Sequence, residues 1–323
     1  MTDHEKPSAT GDIAAKTATA ATAATAATAA TAATAATVAT GETVDASEYW
    51  KSLCDRLADL AGDSGIGTGL GIALSGGVDS SLLLAAAVEA LGPDRVAAFT
   101  AVTPFAVPGE EEAARCSARA AGVQWMRVEI SESDMEPVLA NGPDRCYDCK
   151  RVILGAMEQA ALNRGVSVMV EGTNPDEASG QHRPGLRAVV EMGVYSPYLE
   201  LGISRAVIES LALERDLPSA RALSQSCMAT RIPTGIPITS QALSAALAVE
   251  GFLADSGMCG FRARVHGNLL RIEAPEVEME AYLREPFRSV LLETASRQGF
   301  EFVTIDLKGY RPSGPGSQVR KQY

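Results

Sequence analysis

The sequence predicts an α/β fold, a parallel sheet with helices on both faces, followed by a smaller α+β domain. Two observations indicate this fold class. From about residue 48 to residue 215, short apolar runs alternate with segments of helical length, which is the pattern of βαβ units. After residue 232 the pattern changes to a helix, two strands, a second helix and a last strand, which is typical of a small α+β unit.

The first 46 residues precede this pattern and have low complexity. A Thr-Ala-Ala triplet recurs over residues 17–37 and offers no apolar face to bury, so we expect residues 1–46 to form a disordered tail. A stretch rich in Pro and Gly at 233–237 then divides the remainder. We therefore expect one domain over 47–232 and a second, for substrate binding or oligomerisation, over 233–323.

The predicted elements follow in order along the chain. In the first domain they are helices at 48–60, 80–91, 110–121, 149–164 and 205–215, and strands at 70–74, 96–101, 124–130 and 166–171. In the second domain they are helices at 241–256 and 277–298, and strands at 261–266, 269–273 and 302–306. The Gly267-Asn268 connection favours a hairpin between the two adjacent strands.

Charge and composition disfavour several classes of function. The formal net charge is −12, so the chain gains little from counterion release and a nucleic-acid partner is not expected. No apolar run reaches the roughly 18 residues of a membrane helix, and the polar N-terminus does not resemble a signal peptide. We therefore expect a cytoplasmic protein with a small-molecule partner and no membrane. In that compartment the six cysteines indicate metal binding or catalysis, not a disulfide framework.

A glycine-containing loop follows the first predicted strand. Residues Ser75–Ser80 read Ser-Gly-Gly-Val-Asp-Ser, and Gly76 and Gly77 let the backbone approach a phosphate closely. The helix after the loop offers free N–H groups and the positive end of its dipole, with Asp79 or Ser80 as the expected N-cap. We expect the two serine hydroxyls to contact phosphate and Asp79 to act through Mg²⁺ or as the cap. The Gly-Lys-Ser/Thr ending of a Walker loop is missing.

Three cysteines lie in polar motifs. Cys146 and Cys149 belong to the sequence Arg-Cys-Tyr-Asp-Cys-Lys, just ahead of a predicted helix, and Cys227 lies in a loop that continues Met-Ala-Thr-Arg-Ile-Pro. A thiolate is a strong nucleophile, and Arg231 in the same loop could favour that form of Cys227. The other cysteines are expected to be packing residues: Cys54, Cys116 and Cys259.

Together these motifs resemble a known family. The glycine loop after the first strand resembles the PP-loop superfamily of ATP pyrophosphatases, whose members cleave ATP between the α and β phosphates and have an adenine nucleotide alpha hydrolase-like fold. The ordered series of motifs from about residue 48 to residue 315 is similar to one branch, the LarE family of ATP-dependent sulfur transferases. Its further motifs are Glu171–Glu177, Arg183–Arg187, His266–Glu273 and Asp306–Arg311.

The resemblance implies a reaction in the biosynthesis of the nickel-pincer nucleotide of lactate racemase. ATP would adenylate the carboxylates of pyridinium-3,5-dicarboxylate mononucleotide, and sulfur would then displace AMP to give thiocarboxylates. The cofactors implied are ATP, Mg²⁺ and, in members with all three cysteines, a 4Fe–4S cluster. A homo-oligomer, specifically a hexamer, is also implied.

The source of the sulfur has two versions in this family. Cys227 matches the sulfur-supplying cysteine, and members with only this cysteine give up its own sulfur. Members that also have the equivalents of Cys146 and Cys149 are thought to hold the cluster, in which three thiolates leave one iron without a protein ligand. The same three thiolates could instead bind zinc.

The resemblance also implies roles for other polar residues. Four residues at the end of a predicted strand would lie near the nucleotide, because ligands bind at the carboxyl ends of parallel strands: Gly172, Thr173, Asn174 and Asp176. The alternative for this segment is a simple turn. Thr234 stands where relatives often have an aromatic residue, which leaves the stacking of the substrate open.

In the second domain, the resemblance concerns arginines and glutamates. Arg262 and Arg264 share one face of a strand by their period of two, and with Arg271 they match residues that bind the substrate's phosphate. The alternative is a solvated strand face. Glu250 and Glu273 match carboxylates proposed to bind metal in the family.

Three other functions remain as alternatives. A tRNA-thiolating PP-loop enzyme would share the loop, the cysteines and the iron–sulfur cluster, but it needs an RNA-binding module and a basic surface. An amidotransferase-type synthetase needs an ammonia source, and no such domain is visible. A nucleotide sensor without catalytic activity would not need the full set of cysteines.

Overall fold

The computed structural model describes residues 46–62, 69–179, 184–221 and 226–310. The predicted disordered tail lies outside the described residues apart from Ala46, and so do Arg183 and Arg311 of the family motifs. Within these ranges, no helix combines the length and the apolar character that crossing a membrane requires.

A four-stranded parallel sheet forms the first part of the fold. Its strands are β1 (Leu70–Ala73), β2 (Val96–Val102), β3 (Gln124–Glu129) and β4 (Val168–Val170). They lie in the order β3-β2-β1-β4, and every neighbouring pair is parallel. The direction of winding therefore reverses beside β1, and ligands of such sheets bind at the carboxyl ends of the strands at this reversal.

Helices pack on both faces of this sheet, which confirms the predicted architecture. They are α1 (Ala46–Gly62), α2 (Val78–Leu91), α3 (Glu110–Ala120), α4 (Glu136–Leu139), α5 (Arg145–Leu162), α6 (Pro175–Ala178), α7 (Pro184–Glu191), α8 (Pro197–Glu200) and α9 (Arg205–Glu214). Ala98 of β2 packs in the apolar cluster of α1, α2 and α9. Its neighbour Phe99 packs in a different cluster with α5 and α7, as the alternation of side chains along a strand requires.

Two helix starts differ from the prediction. The N-cap of α2 is Gly77, not Asp79 or Ser80, and no side chain caps it. The prediction missed the first two residues of this helix, Val78 and Asp79, because the helical pattern is not recognisable so close to the two glycines of the loop. Likewise, α5 begins at Arg145, so Cys146 and Cys149 lie within its first turns and not ahead of it. The polar segment before Cys149 lacks the apolar periodicity on which the prediction relied.

A second sheet has three strands, β5 (Arg262–His266), β6 (Leu269–Glu273) and β7 (Phe302–Ile305), in the order β5-β6-β7. The β5–β6 pair is the predicted antiparallel hairpin, and β6–β7 is parallel. Helices α10 (Ser240–Asp255) and α11 (Phe287–Arg297) pack in one apolar cluster with this sheet. The predicted helix over 277–298 was wrong in its first part: only short 3-10 turns precede Pro286, which lacks the N–H that a helix interior needs.

One apolar cluster connects the second sheet to the end of the first. Ala263 and Ile272 of the second sheet share this cluster with Phe105, which follows β2, and with Ile130, which follows β3. Met228 belongs to the same cluster. The loop that carries Cys227 is therefore packed between the carboxyl ends of the first sheet and the strands of the second.

The two loop glycines allow a matched test of this geometry. Gly76 has φ +85°, and an added Cβ would lie 2.6 Å from the carbonyl oxygen of Glu110, whereas the nearest atom to a Cβ on Gly77 is the Ser75 Oγ at 3.4 Å. We expect Gly76→Ala to lower the free energy of unfolding by about 2 kcal/mol or more. Gly77→Ala should lower it by less than about 1 kcal/mol. Urea unfolding of both variants measures the difference, and equal losses would contradict this loop conformation.

Candidate active site

A cavity of about 380 Å³ lies at the carboxyl ends of the first sheet's strands. Its volume falls within the usual range for small-molecule sites. Residues of four predicted motifs line it: Ser75, Asp79 and Ser80 of the glycine loop, Glu171–Thr173 and Glu177 after β4, Cys149 and Lys150 of α5, and Cys227. The fold thus brings together the phosphate loop and two of the three motif cysteines.

The glycine loop is held in shape by its own serines. The backbone N–H of Ser75 donates to the Ser80 Oγ at 3.1 Å, and that hydroxyl donates to the Gly77 carbonyl at 3.2 Å. Because no side chain caps α2, the N–H groups of its first turn are suited to binding an anion. A Cβ on Gly172 would lie 3.3 Å from backbone atoms of Asp79 and Ser80, so the close approach of the segment after β4 favours glycine there.

Asp79 is held by residues from three other segments. Its Oδ1 accepts a hydrogen bond from the Asn174 Nδ2 at 3.0 Å, and its Oδ2 accepts one from the Arg205 guanidinium at 2.6 Å. The hydroxyl of buried Tyr198 donates to the Asp79 carbonyl at 2.9 Å. Burial raises the pKa of the Asp79 carboxyl, although Arg205 and Asn174 act in the opposite direction. The sequence analysis missed Arg205 and Tyr198, which lie far from Asp79 along the chain.

The segment after β4 begins a short helix. Asn174 is fully buried, and its Oδ1 accepts from the Glu177 N–H at 3.1 Å as the N-cap of α6. Asp176 accepts the backbone N–H of Arg205 at 2.6 Å. This segment is therefore a single helical turn capped by Asn174, and it connects the cavity to the start of α9.

Two further charged residues line the cavity but were not predicted as site residues: Lys150 and Glu177. The Lys150 Nζ donates to Glu171 at 2.9 Å, and Glu171 also accepts from the hydroxyls of Thr173 and Ser196. Burial alone would raise the pKa of Glu171, but these partners outweigh it and lower the pKa. At Glu177, burial and the charges of Asp79 and Glu171 raise the pKa. Lys150 directly follows Cys149 and Glu177 ends a quoted motif, so both could have been singled out from the sequence.

The three motif cysteines lie in two chain segments at the cavity: Cys149 and Cys227 line it, and Cys146 lies three residues before Cys149 on α5. Burial, followed by the charges of Cys227 and Cys146, raises the pKa of Cys149 to about 12. Cys146 and Cys227 are exposed, and all six cysteines of the chain are free thiols. Among the described residues, no group of three or more His, Cys, Asp or Glu side chains is already arranged to hold a metal ion.

The Cys227 thiol has a different cationic neighbour from the one expected. Arg231 is buried and donates two hydrogen bonds to Glu250, at 2.8 and 2.9 Å. It also donates to the carbonyl oxygens of Ser226 and Cys227. Arg231 therefore contacts the backbone of the loop and not the thiol. Although the Cys227 side chain is exposed at the surface, desolvation by the protein packed around it raises the pKa of the thiol. The backbone N–H of Ala229 and then the charge of Arg145 act in the opposite direction.

The predicted phosphate-binding arginines form a cluster on β5 and β6. Arg262 is buried and contacts Tyr310, with its guanidinium 4.8 Å from the ring centre. Arg264 and Arg271 both pair with Glu273, at 3.0 and 3.2 Å. The charges of Glu273 and Glu250 are thus already balanced by arginines.

A second cavity, of about 270 Å³, lies beside this cluster. Arg262, Tyr310, Arg231 and Ser226 are among its lining residues. Ser226 thus lines the second cavity while its neighbour Cys227 lines the first. The Cys227 loop therefore forms part of the wall of both cavities. Thr234, farther along this segment, is exposed.

Comparisons with known proteins agree with the motifs. Residues 68–239 match the family model of asparagine synthase. An uncharacterized protein of Synechocystis sp. is 34% identical over 240 residues, which cover 74% of this chain and 89% of that protein. The pyridinium-3,5-bisthiocarboxylic acid mononucleotide synthase of Lactiplantibacillus plantarum is 28% identical over 244 residues, which cover 74% and 86%.

Among solved structures, the NH3-dependent NAD synthetase of Campylobacter jejuni aligns with a TM-score of 0.44 at 14% identity, over 79% of this chain and 94% of that one. The family match and the curated relatives identify the chain. It belongs to the asparagine synthase family of PP-loop ATP-dependent enzymes and, within that family, to the LarE-type sulfur transferases.

Proposed function

We propose that this enzyme adenylates the carboxylates of pyridinium-3,5-dicarboxylate mononucleotide and then transfers sulfur to them, in nickel-pincer cofactor biosynthesis for lactate racemase maturation. The observation that carries the proposal is that Cys227 lines the same cavity as the phosphate loop. A sulfur nucleophile therefore lies beside the loop suited to the pyrophosphate of ATP. The name of the Lactiplantibacillus relative supports the class of substrate.

The chemistry balances in two steps. A carboxylate oxygen of the substrate attacks the α phosphorus of ATP, and the bond to the bridging oxygen of pyrophosphate breaks. Sulfur then attacks the acyl carbon, and AMP leaves with that carboxylate oxygen. If Cys227 is the donor, this second step is completed by loss of its Cα proton and cleavage of its Cβ–Sγ bond, which releases the thiocarboxylate and leaves dehydroalanine. The loop of Ser75, Gly76, Gly77 and Ser80 and the uncapped start of α2 would hold the departing pyrophosphate. Gly172, Thr173 and Asn174 would border the nucleotide on the other side.

Two carboxylates of the cavity fit a magnesium ion. Asp79 and Glu177 both line it, and Asp79 contributes to the raised pKa of Glu177. A divalent cation would relieve this repulsion, and Mg²⁺ is commonly held by one or two carboxylates together with phosphate oxygens. When bound, Mg²⁺ would neutralise charge on the pyrophosphate. Asp176 and Arg205 would keep Asp79 in position.

The donor set of Cys146, Cys149 and Cys227 fits a 4Fe–4S cluster. Cys149 and Cys227 line one cavity, Cys146 lies three residues before Cys149 on α5, and thiolates are the usual ligands of such clusters. When bound, the cluster would supply an exchangeable sulfide on the iron that has no protein ligand. The alternatives are that Cys227 donates its own sulfur, or that the three thiolates bind zinc.

The second cavity fits the phosphorylated end of the substrate. Arg262 lines it, and Arg264 and Arg271 lie on the same hairpin. Because the Cys227 loop borders both cavities, a substrate anchored on the arginines could present its carboxylate to the first. Arg231, with Glu250, would position this loop, and Glu250 and Glu273 would serve as partners of arginine and not as metal ligands.

The remaining parts of the proposal concern the whole protein. We propose a PP-loop domain over 47–232 and a C-terminal domain over 233–323. We also propose a homo-oligomer, specifically a hexamer, that acts on a small-molecule nucleotide in the cytoplasm. The tRNA-thiolase alternative gains no support, because the formal net charge is −12 and two of the three clustered arginines, Arg264 and Arg271, are paired with Glu273.

Replacement of Cys227 separates the two steps. We expect Cys227→Ala to abolish thiocarboxylate formation while substrate-dependent release of pyrophosphate continues, because the thiol does not take part in adenylation. Cys116→Ala is the matched control, since Cys116 is an exposed thiol on α3 that bonds Glu112. Product analysis by mass spectrometry measures both steps. Thiocarboxylate formation by Cys227→Ala at the wild-type rate would contradict the role.

The intact mass of the wild-type enzyme after turnover distinguishes the two sulfur sources. Loss of sulfur from Cys227, leaving dehydroalanine, indicates that the cysteine is the donor. An unchanged mass with repeated turnovers from added sulfide indicates the cluster.

Replacement of Glu177 tests the magnesium site. We expect Glu177→Gln to raise the Mg²⁺ concentration for half-maximal pyrophosphate release by about tenfold or more, because a metal ligand loses its charge. Glu214→Gln is the control, since Glu214 lies on α9 and pairs with Arg215. A titration of the rate with Mg²⁺ gives the comparison, and an unchanged Mg²⁺ requirement in Glu177→Gln would refute the assignment.

A further inference from the structure

A buried asparagine links the two chain segments that carry the motif cysteines. Asn141 lies in the turn between α4 and α5 and is fully buried. Its Nδ2 donates to the carbonyl oxygens of Pro233 and Ile236, at 2.8 and 2.6 Å. The backbone carbonyl oxygen of Asn141 accepts a hydrogen bond from the backbone N–H of Gly235 at 2.8 Å. Three hydrogen bonds thus tie this turn to the segment that follows the Cys227 loop.

Arg145 continues this link toward the cysteines. It is the first residue of α5 and precedes Cys146. One nitrogen of its guanidinium donates both to the Asn141 Oδ1 and to the carbonyl of Ala229, the latter at 3.2 Å. Ala229 lies two residues after Cys227. The link therefore runs from the start of the helix that carries Cys146 and Cys149 to the backbone beside Cys227.

The backbone conformation at position 141 favours asparagine over most other residues. Its φ of +56° lies in the left-handed region, which few residues other than glycine adopt, although asparagine is enriched there. The side chain uses both its donor and its acceptor groups in a fully buried position. Loss of those bonds would leave the carbonyl groups of Pro233 and Ile236 without this partner, and the adenylation chemistry gives these contacts no role.

We propose that Asn141 and Arg145 are positioning residues for sulfur transfer, which hold the Cys227 loop against the start of α5 and so keep the three thiols together at the cavity. The effect on sulfur transfer rests on the proposed function, whereas the effect on the position of the thiols does not. Neither residue lines the cavity that holds the phosphate loop, so ATP binding should not depend on them.

Two variants test the link in the full-length protein. Asn141→Gly removes the side-chain hydrogen bonds while glycine still permits the backbone conformation. Arg145→Met removes the guanidinium at a helix position and serves if Asn141→Gly does not fold. Arg151→Met is the control, because Arg151 lies on the same helix, is exposed and contacts the Tyr147 ring.

The first readout is independent of activity. The reduced protein is treated with dibromobimane, and the Cys149–Cys227 cross-linked peptide is quantified by mass spectrometry. We expect the wild type and Arg151→Met to cross-link equally, and both test variants to lose most of the product. Cross-linking at the wild-type level in both test variants would overturn the proposal.

The second readout compares the two catalytic steps. We expect the test variants to lose about a hundredfold in the rate of sulfur transfer, as small displacements of reacting groups can cause, while pyrophosphate release stays within about twofold. An equal loss in both steps would overturn a specific positioning role. If the wild type transfers no sulfur but its cross-linking depends on Asn141 and Arg145, the proposed function fails and the positioning role stands.

Discussion

The buried pair of Arg231 and Glu250 determines where the Cys227 loop lies. Arg231 is 3% exposed, and it contacts both carboxylate oxygens of Glu250 while also holding the carbonyl groups of Ser226 and Cys227. Glu250 in turn accepts the N–H of Ala263 in β5. One ion pair thus joins the loop, α10 and the second sheet. Removal of one partner from such a pair typically costs about 3–5 kcal/mol.

With the loop fixed in this way, the site is assembled from distant parts of the chain. Asp79 of the phosphate loop is held by Asn174, Tyr198 and Arg205, and Cys227 lines the same cavity as Asp79. The Cys227 loop also borders the arginine-lined cavity. Under the proposed function, this arrangement lets ATP and a phosphorylated substrate bind in separate cavities and brings their reacting groups to one thiol.

Features that depend on local sequence were predictable. The glycine loop, the alternating strands and helices and the Gly267-Asn268 hairpin all follow from short-range patterns. The errors arose where one residue overrides a pattern, as Pro286 does in the predicted helix at 277–298 and as the loop glycines do at the start of α2. The partners within the site were missed for a different reason. Arg205 contacts Asp79 although the two lie 126 positions apart in the sequence, and Arg145 contacts Ala229 over a separation of 84 positions. Only the tertiary structure shows such pairs.

The path of one oxygen atom tests the proposed reaction. In that reaction a substrate carboxylate attacks the α phosphorus of ATP, so that AMP later leaves with a carboxylate oxygen. The measurement is a single turnover with substrate whose carboxylates are labelled with oxygen-18, followed by mass spectrometry of the AMP. The account predicts AMP that carries one labelled oxygen for each thiocarboxylate formed. Unlabelled AMP, or release of ADP in its place, would contradict it.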